Sequence, residues 1–271
     1  MYTLSNGSLD VDILDPVADQ ERFGTRYCTG GYIFQISDVD HGDLLTGPTF
    51  PESFNTYDGQ GIPDAFRLGP VRASESVEGP ALIIGVGLCD LQADRVLEFC
   101  RWDVTASSDC ITMRTRQGIG HASLELERSV SLQGRTVRSA TSLRNNGART
   151  LAFRWFPHPF FPHPDGDELC RFNSPVSFPE STAYDVAESG FIRRLGWPWT
   201  EGHYQAMDLP GNNPLVVVQK HPKLGLVAAT CSYIPTYLPI WGNPNTFSWE
   251  PFLDSTVGAG QERSWTIDYD F

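Results

Sequence analysis

The stretch Leu124-Glu125-Leu126-Glu127-Arg128-Ser129-Val130-Ser131-Leu132-Gln133-Gly134 decides the fold class. Leu124, Leu126, Val130 and Leu132 alternate with Glu125, Glu127, Ser129 and Ser131, the period-two pattern of a strand with one face in water. Gln133-Gly134 supplies a turn, and residues 136–143 run back as a second strand. Asn145-Asn146-Gly147 follows and is the strongest hairpin signal in the chain, because Asn-Gly tolerates the positive φ values of a type I′ turn. It delivers the chain into Leu151-Ala152-Phe153-Arg154-Trp155-Phe156-Pro157-His158-Pro159-Phe160-Phe161-Pro162-His163, which starts as a strand and ends as a proline-clamped turn.

Outward from this region the same grammar repeats. Residues 96–104 and 111–116 flank a Ser107-Ser108-Asp109 turn, and residues 215–220 and 224–231 flank His221-Pro222-Lys223. The apolar run 81–88 reads as one strand buried on both faces. Trp265, Ile267, Tyr269 and Phe271 alternate with polar residues in an edge-like final strand. Residues 183–195 are expected to hold one short helix, and the first twenty residues a peripheral strand or arm. Gly30-Gly31, ahead of an apolar strand, allows a bulge or a close approach to a ligand. Residues 42–69, dense in Gly, Pro, Asn and Asp with interspersed aromatics, suit a long loop that serves a site. Many short strands, frequent turn signals and little helical periodicity predict an all-β sandwich, in one domain spanning residues 1–271.

A formal net charge of −13 over 271 residues repels nucleic acid and anionic membrane surfaces and favours a neutral ligand. No stretch approaches the roughly 20 apolar residues that span a bilayer, and no basic-then-apolar segment opens the chain. A cytoplasmic location is therefore the expectation. Cys28, Cys89, Cys100, Cys110, Cys170 and Cys231 form no Cys-x-x-Cys pair and read as buried free thiols. Asp165-Gly166-Asp167-Glu168 lacks the other positions of a calcium loop, so no metal or organic cofactor is implied.

Two segments carry candidate chemistry. In residues 151–163, Leu151, Phe153 and Trp155 fall on one face of an extended chain, and Ala152, Arg154, Phe156 and His158 on the other. Pro157 and Pro159 bracket His158, and the second holds it extended. An imidazole so held, with an unperturbed pKa of about 6.5, suits proton transfer near neutrality. The residues alone weigh that reading evenly against an ordinary loop histidine beside an aromatic core. In residues 245–251, Thr246, Ser248 and Glu250 share a face opposite Phe247 and Trp249, and Pro251 keeps Glu250 extended.

Together these segments resemble the galactose mutarotase-like (aldose 1-epimerase) family. That family carries a His-Pro-Tyr-Phe-type stretch soon after an Asn-x-Gly turn, and Asn146-Gly147 precede His158-Pro159-Phe160-Phe161 here. Its late glutamate, Gly-rich turn and final strand are similar to Glu250, residues 258–262 and residues 264–271. The resemblance implies a large twisted antiparallel β-super-sandwich that binds a small-molecule sugar on its concave face. It also implies interconversion of anomers by ring opening, with Glu250 as base on the anomeric hydroxyl and His158 as acid on the ring oxygen. Arg26, Glu52, Arg72 and Arg154 are then candidate hydroxyl ligands, and Trp241 a candidate stacking surface. Gly59-Gln60-Gly61-Ile62-Pro63 resembles the Arg-Gly-Gly-Ile-Pro segment of the sugar-phosphate branch without its leading arginine, so a neutral sugar is expected. The alternatives are a noncatalytic carbohydrate-binding protein of the same fold and a hexose-6-phosphate 1-epimerase.

Overall fold

A computed structural model describes residues 1–46, 60–73, 79–209 and 211–271. The described residues form antiparallel strands and one 3-10 turn, Gln20–Arg22, with no α-helix among them. The architecture is that of a large galactose mutarotase-like β-super-sandwich. The stretch that announces it folds as expected: strand Ala122–Gln133 pairs with Thr136–Asn145 from Gln133↔Thr136 to Leu124↔Asn145. Gly134 makes the turn at φ 58°. These two lie within a ten-stranded sheet, flanked by Cys110–Ile119 on one side and Glu262–Asp270 on the other.

Several elements depart from the sequence reading, each for a physical reason. The final strand is not an edge: Glu262–Asp270 is paired on both sides, to Thr136–Asn145 and to Gly225–Cys231. Asn145-Asn146-Gly147 does not close a hairpin, and neither Asn146 nor Gly147 takes a positive φ. The buried Asn145 side chain instead accepts from the Gly147 amide at 2.9 Å and donates to the carbonyls of Arg149 at 2.7 Å and Val257 at 2.9 Å. Such a side-chain-stabilised turn lets the chain leave the large sheet. Strand Leu151–Pro157 then pairs with Leu253–Val257 and Asp64–Ala65.

The run 81–88 is two strands, Ala81–Ile83 and Gly87–Asp90, because Gly85 turns the chain at φ 75°. A Cβ at Gly85 would lie 2.3 Å from Cys28 Sγ, so glycine is required there. Residues 183–195 hold a hairpin rather than a helix: Tyr184–Val186 pairs with Ile192–Arg194 across a turn containing Gly190. The N-terminal residues are integral, since Tyr2–Ser5 and Leu9–Ile13 place Leu4, Leu9, Val11 and Ile13 in the main core. The Gly30-Gly31 pair meets protein rather than ligand. A Cβ on Gly30 would strike the Trp102 ring at 2.3 Å, and one on Gly31 would press on Arg128 at 3.0 Å. All six cysteines are free, with Cys28, Cys89, Cys170 and Cys231 buried.

The Leu151–Pro157 strand keeps the predicted alternation. Phe153 stacks on Trp265 at 5.2 Å and Trp155 meets the same indole edge-on at 5.3 Å, which fixes this strand against the large sheet. A second tie is ionic. Arg128 occupies an inward position of the founding strand, between Leu126 and Val130, and its side chain is 1% exposed. Its guanidinium donates to the Asp64 carboxylate, to Thr141 Oγ1, and to Ser139 Oγ at 2.9 Å. Removing one member of a buried pair strands the other charge, at a cost of about 3–5 kcal/mol. Asp64→Asn is therefore expected to lower unfolding free energy in urea by about 3 kcal/mol; a loss below about 1 kcal/mol would show that Arg128 is held by its hydroxyl partners alone.

Candidate functional site

His158 directly follows the Leu151–Pro157 strand, and its position is set by backbone bonds on its flank. The His158 amide donates to the Pro63 carbonyl at 2.8 Å, and the Phe160 amide to the Gly61 carbonyl at 2.8 Å. Asp64 lies opposite Pro157 in the adjoining register. Gly61 sits at φ 70°, and a Cβ on it would lie 2.2 Å from the Ile33 carbonyl oxygen, so the close approach of these segments demands glycine. The Gln60-Gly61-Ile62-Pro63 segment thus forms the bed on which the histidine rests.

Glu250 arrives from the far side. Thr246–Trp249 pairs with Leu238–Gly242, and the Glu250 amide donates to the Pro239 carbonyl at 3.0 Å. Trp249 turns inward, its indole donating to Gln219 Oε1 at 2.6 Å, which by alternation sends Ser248 and Glu250 in opposite directions to it. The two candidate groups meet: His158 Nε2 lies 3.2 Å from Glu250 Oε1, with side chains 5% and 7% exposed. Aromatic rings surround the imidazole. Phe160 stacks on it at 4.4 Å, Trp241 meets it edge-on at 5.4 Å, and Tyr27 and Phe156 stand at 6.3 Å.

Burial dominates the electrostatics. It pushes the Glu250 carboxyl up to about 8, against the nearby Arg26 charge, which pulls it down. It drives the His158 imidazole down to about 3, and Arg26 adds to that effect. Both directions have one cause, the expense of charge in a dry aromatic setting. Both shifts favour the uncharged forms, a protonated carboxyl beside a neutral imidazole.

The structure brings His158, Glu250, Arg26 and Trp241 together and sets other sequence candidates elsewhere. Arg26 is half-buried, its guanidinium 5.4 Å from the Tyr27 ring centroid, and its charge acts on both members of the pair. Arg154 shares a strand face with His158 but lies on the exposed part of it, in a two-point ion pair with Asp254 at 2.6 and 2.7 Å. Arg72 is half-buried on the Val71–Arg72 strand of a separate sheet, opposite Ala81. Glu52 lies outside the described residues. His163 occupies its own cage, bonded through Nε2 to the Asn243 carbonyl at 2.8 Å and packed on Trp197 at 4.3 Å.

Tyr27, Phe160 and Ser248 belong to the site but were not singled out in the sequence. Position gave some signal for each: Tyr27 is next to Arg26, Phe160 follows the His158-Pro159 pair, and Ser248 lies two residues before Glu250. Within the described residues, Ser248 Oγ, His158 Nδ1 and Arg26 Nε are buried polar atoms without a hydrogen-bond partner. Unsatisfied groups clustered at a site are what a hydroxyl-rich ligand would saturate. Among the described residues no group of three or more His, Cys, Asp or Glu side chains is placed to hold a metal ion.

Comparison with known proteins agrees with this architecture. No family model matches the sequence, and no curated protein matches it. Solved structures do. A galactose mutarotase related enzyme from Lactobacillus acidophilus superposes with a TM-score of 0.66 at 14% identity, covering 99% of this chain and 96% of that one. A galactose mutarotase-like protein from Clostridium acetobutylicum gives 0.58 at 11% identity, with 98% and 93% covered. A galactose 1-epimerase from Lactobacillus acidophilus NCFM gives 0.54 at 13% identity, with 99% and 92% covered. At such identities the likeness establishes the fold alone, the galactose mutarotase-like plan.

Proposed function

We propose that this protein is an aldose 1-epimerase of the mutarotase type, interconverting the anomers of a neutral sugar. The observation that carries the reading is the sealed His158–Glu250 contact at 3.2 Å, an acid and a base converging from distant strands inside an aromatic shell. In the proposed reaction the sugar enters between the two groups and replaces their direct contact with hydrogen bonds of its own. Glu250 takes the proton of the anomeric hydroxyl while His158 protonates the ring oxygen, and the bond from C1 to that oxygen breaks. Rotation of the open aldehyde about C1–C2 exposes its other face. Closure runs the same transfers backward, so the pair ends each cycle with the single proton it began with.

The resting proton placement fits this cycle. A protonated carboxyl beside a neutral imidazole is the arrangement from which the open aldehyde closes. Ring opening starts from the other arrangement, a carboxylate beside an imidazolium, which sugar hydroxyls donating to the carboxylate would favour. A neutral substrate is supported by the net charge of −13 and by the missing arginine of the Gly59-Gln60-Gly61-Ile62-Pro63 segment. Gly59 stands where the sugar-phosphate branch has its leading arginine. That position offers no cation to a phosphate.

Three measurements test the reading. In NMR magnetisation transfer between α and β anomers of neutral hexoses, His158→Asn and Glu250→Gln should each lower exchange by about 10²-fold or more. The double variant should lose little beyond the worse single one, since the groups act as a unit. Wild-type rates matched by His158→Asn would remove the histidine from the mechanism. The pH profile follows from the single shared proton. Activity should fall as pH rises through about 8, where the raised Glu250 carboxyl gives up that proton, and hold down toward about 3, where the imidazole gains a second. Loss of activity centred near 6.5 would instead identify an unperturbed histidine. Finally, a hexose should be turned over with higher kcat/KM than its 6-phosphate; the opposite order would refute the neutral-sugar assignment.

A further inference from the structure

Of the large apolar residues exposed on the described surface, two are aromatic, and they touch each other. Tyr204 is 54% exposed and Tyr237 is 39% exposed, and their hydroxyls are hydrogen-bonded together. The pair borders the candidate site. Tyr204 lies directly across the His203–Met207 and Leu238–Gly242 ladder from Trp241, so both side chains rise from one sheet face. Trp241 in turn contacts the His158 ring at 5.4 Å. Tyr237 packs edge-on against Phe252 at 5.3 Å, Phe252 stacks on Phe156 at 4.2 Å, and Phe156 faces His158. The Tyr204 hydroxyl is made harder to ionise mainly by partial burial, then by Tyr237, with the Glu250 charge also contributing. The two tyrosines and the acid–base pair therefore share one continuous aromatic surface.

Clefts flank that surface on both sides. One of about 510 Å³ is lined by Trp241 with Thr200, Glu201, Asn243 and Asn245. The other, of about 440 Å³, is lined by Tyr237 with Gln205, Asp208 and Thr236. Among the described residues neither lining includes a Lys, Arg or His. Exposed aromatic rings with amide, hydroxyl and carboxylate neighbours match the two faces of a neutral sugar ring, apolar C–H groups over the π surface and hydroxyls at the rim. The cation that does meet the aromatic surface, Arg154 at 5.9 Å from the Phe252 ring centroid, is already engaged by Asp254 at 2.6 and 2.7 Å. An isolated tyrosine on a surface needs no explanation, but two fixed to each other beside a sealed polar site form a platform.

We propose that Tyr204 and Tyr237 form a second sugar subsite, so that the substrate is a neutral reducing disaccharide whose reducing ring reaches His158 and Glu250 while its other ring stacks on the tyrosines. The inference rests on the mutarotase reading for its reaction, and its test is separable from that reading. Methyl glycosides cannot open their rings, so their binding reports the subsite without catalysis. The experiment is calorimetric or NMR titration of the wild-type protein with methyl glycosides of maltose, cellobiose and lactose, against methyl glucoside and methyl galactoside. At least one disaccharide glycoside is expected to bind about tenfold tighter than its monosaccharide counterpart, and Tyr204→Ala combined with Tyr237→Ala is expected to erase the difference. The Tyr204→Phe, Tyr237→Phe variant keeps both rings and should retain most of the preference, which separates stacking from any fault in folding. Equal affinity for both classes, binding of neither, or a preference that survives removal of both rings overturns the subsite. Anomeric exchange on the free sugars is measured alongside; its absence would sink the mutarotase reading and leave the glycoside titration to decide the subsite.

Discussion

The buried contact between Arg128 and Asp64 couples the large sheet to the candidate site. Arg128 belongs to the alternating strand at the heart of that sheet, and Asp64 to the short strand beside Pro157. One residue before Asp64, the Pro63 carbonyl receives the His158 amide, and the Asp64 carbonyl itself receives the Cys28 amide at 2.7 Å. A guanidinium in the core is costly unless its donors are paired, and here a carboxylate and two hydroxyls take its two terminal nitrogens, while Nε is left without a partner. The consequence is that His158 is positioned by the core rather than by a surface loop. Sites held in this way keep a catalytic group in place without ordering it anew at each turnover.

Glycine placement follows from the same constraint. Gly31 at φ 72° leaves room for the Arg128 side chain, and Gly61 lets residues 60–63 approach the Ile33 and Phe34 carbonyls. Read from sequence, Gly30-Gly31 allowed a bulge or a ligand's approach, and residues 59–63 resembled a sugar-phosphate segment without its arginine. In the fold both are close approaches of chain to chain, one against Trp102 and Arg128, the other beneath the histidine. Glycine reports that something comes near the backbone; it does not say what.

What could be read in the sequence was what depends on neighbours along the chain. Period-two alternation over 124–132 and 264–271, with a Gly turn between 132 and 136, pointed to the strands seen at 122–133, 136–145 and 262–270. What could not be read depends on partners far away. The Asn-Gly turn looked like a hairpin because its local chemistry allows one, yet the next strand found its partners at residues 253–257 and 64–65. Arg154 was placed with His158 by alternation, correctly as to face, but the cover over that face changes along the strand. Asp254 opposite Arg154 engages its guanidinium at the surface, while Phe160, Trp241 and Tyr27 enclose His158. Arg128 escaped notice for the converse reason, since a charge within an apolar row gives no local sign of its buried carboxylate.

The same dryness that shifts the pair also limits what can react there. With His158 and Glu250 only 4% and 6% exposed, a substrate must displace an existing contact before it meets either group. The two walls of the site are not equally committed to the core. His158 is tied through Pro63 and Asp64 to Arg128, whereas Trp241 is half-buried and its strand neighbour Tyr204 is largely in solvent. Side chains with few buried contacts are the ones that move at low free-energy cost. On the proposed chemistry, access would therefore come from the Trp241 side, with the histidine wall stationary. On the same proposal, a sugar entering that way would pass the exposed tyrosines before it reached His158 and Glu250, and recognition of the distal ring would precede chemistry at the reducing one.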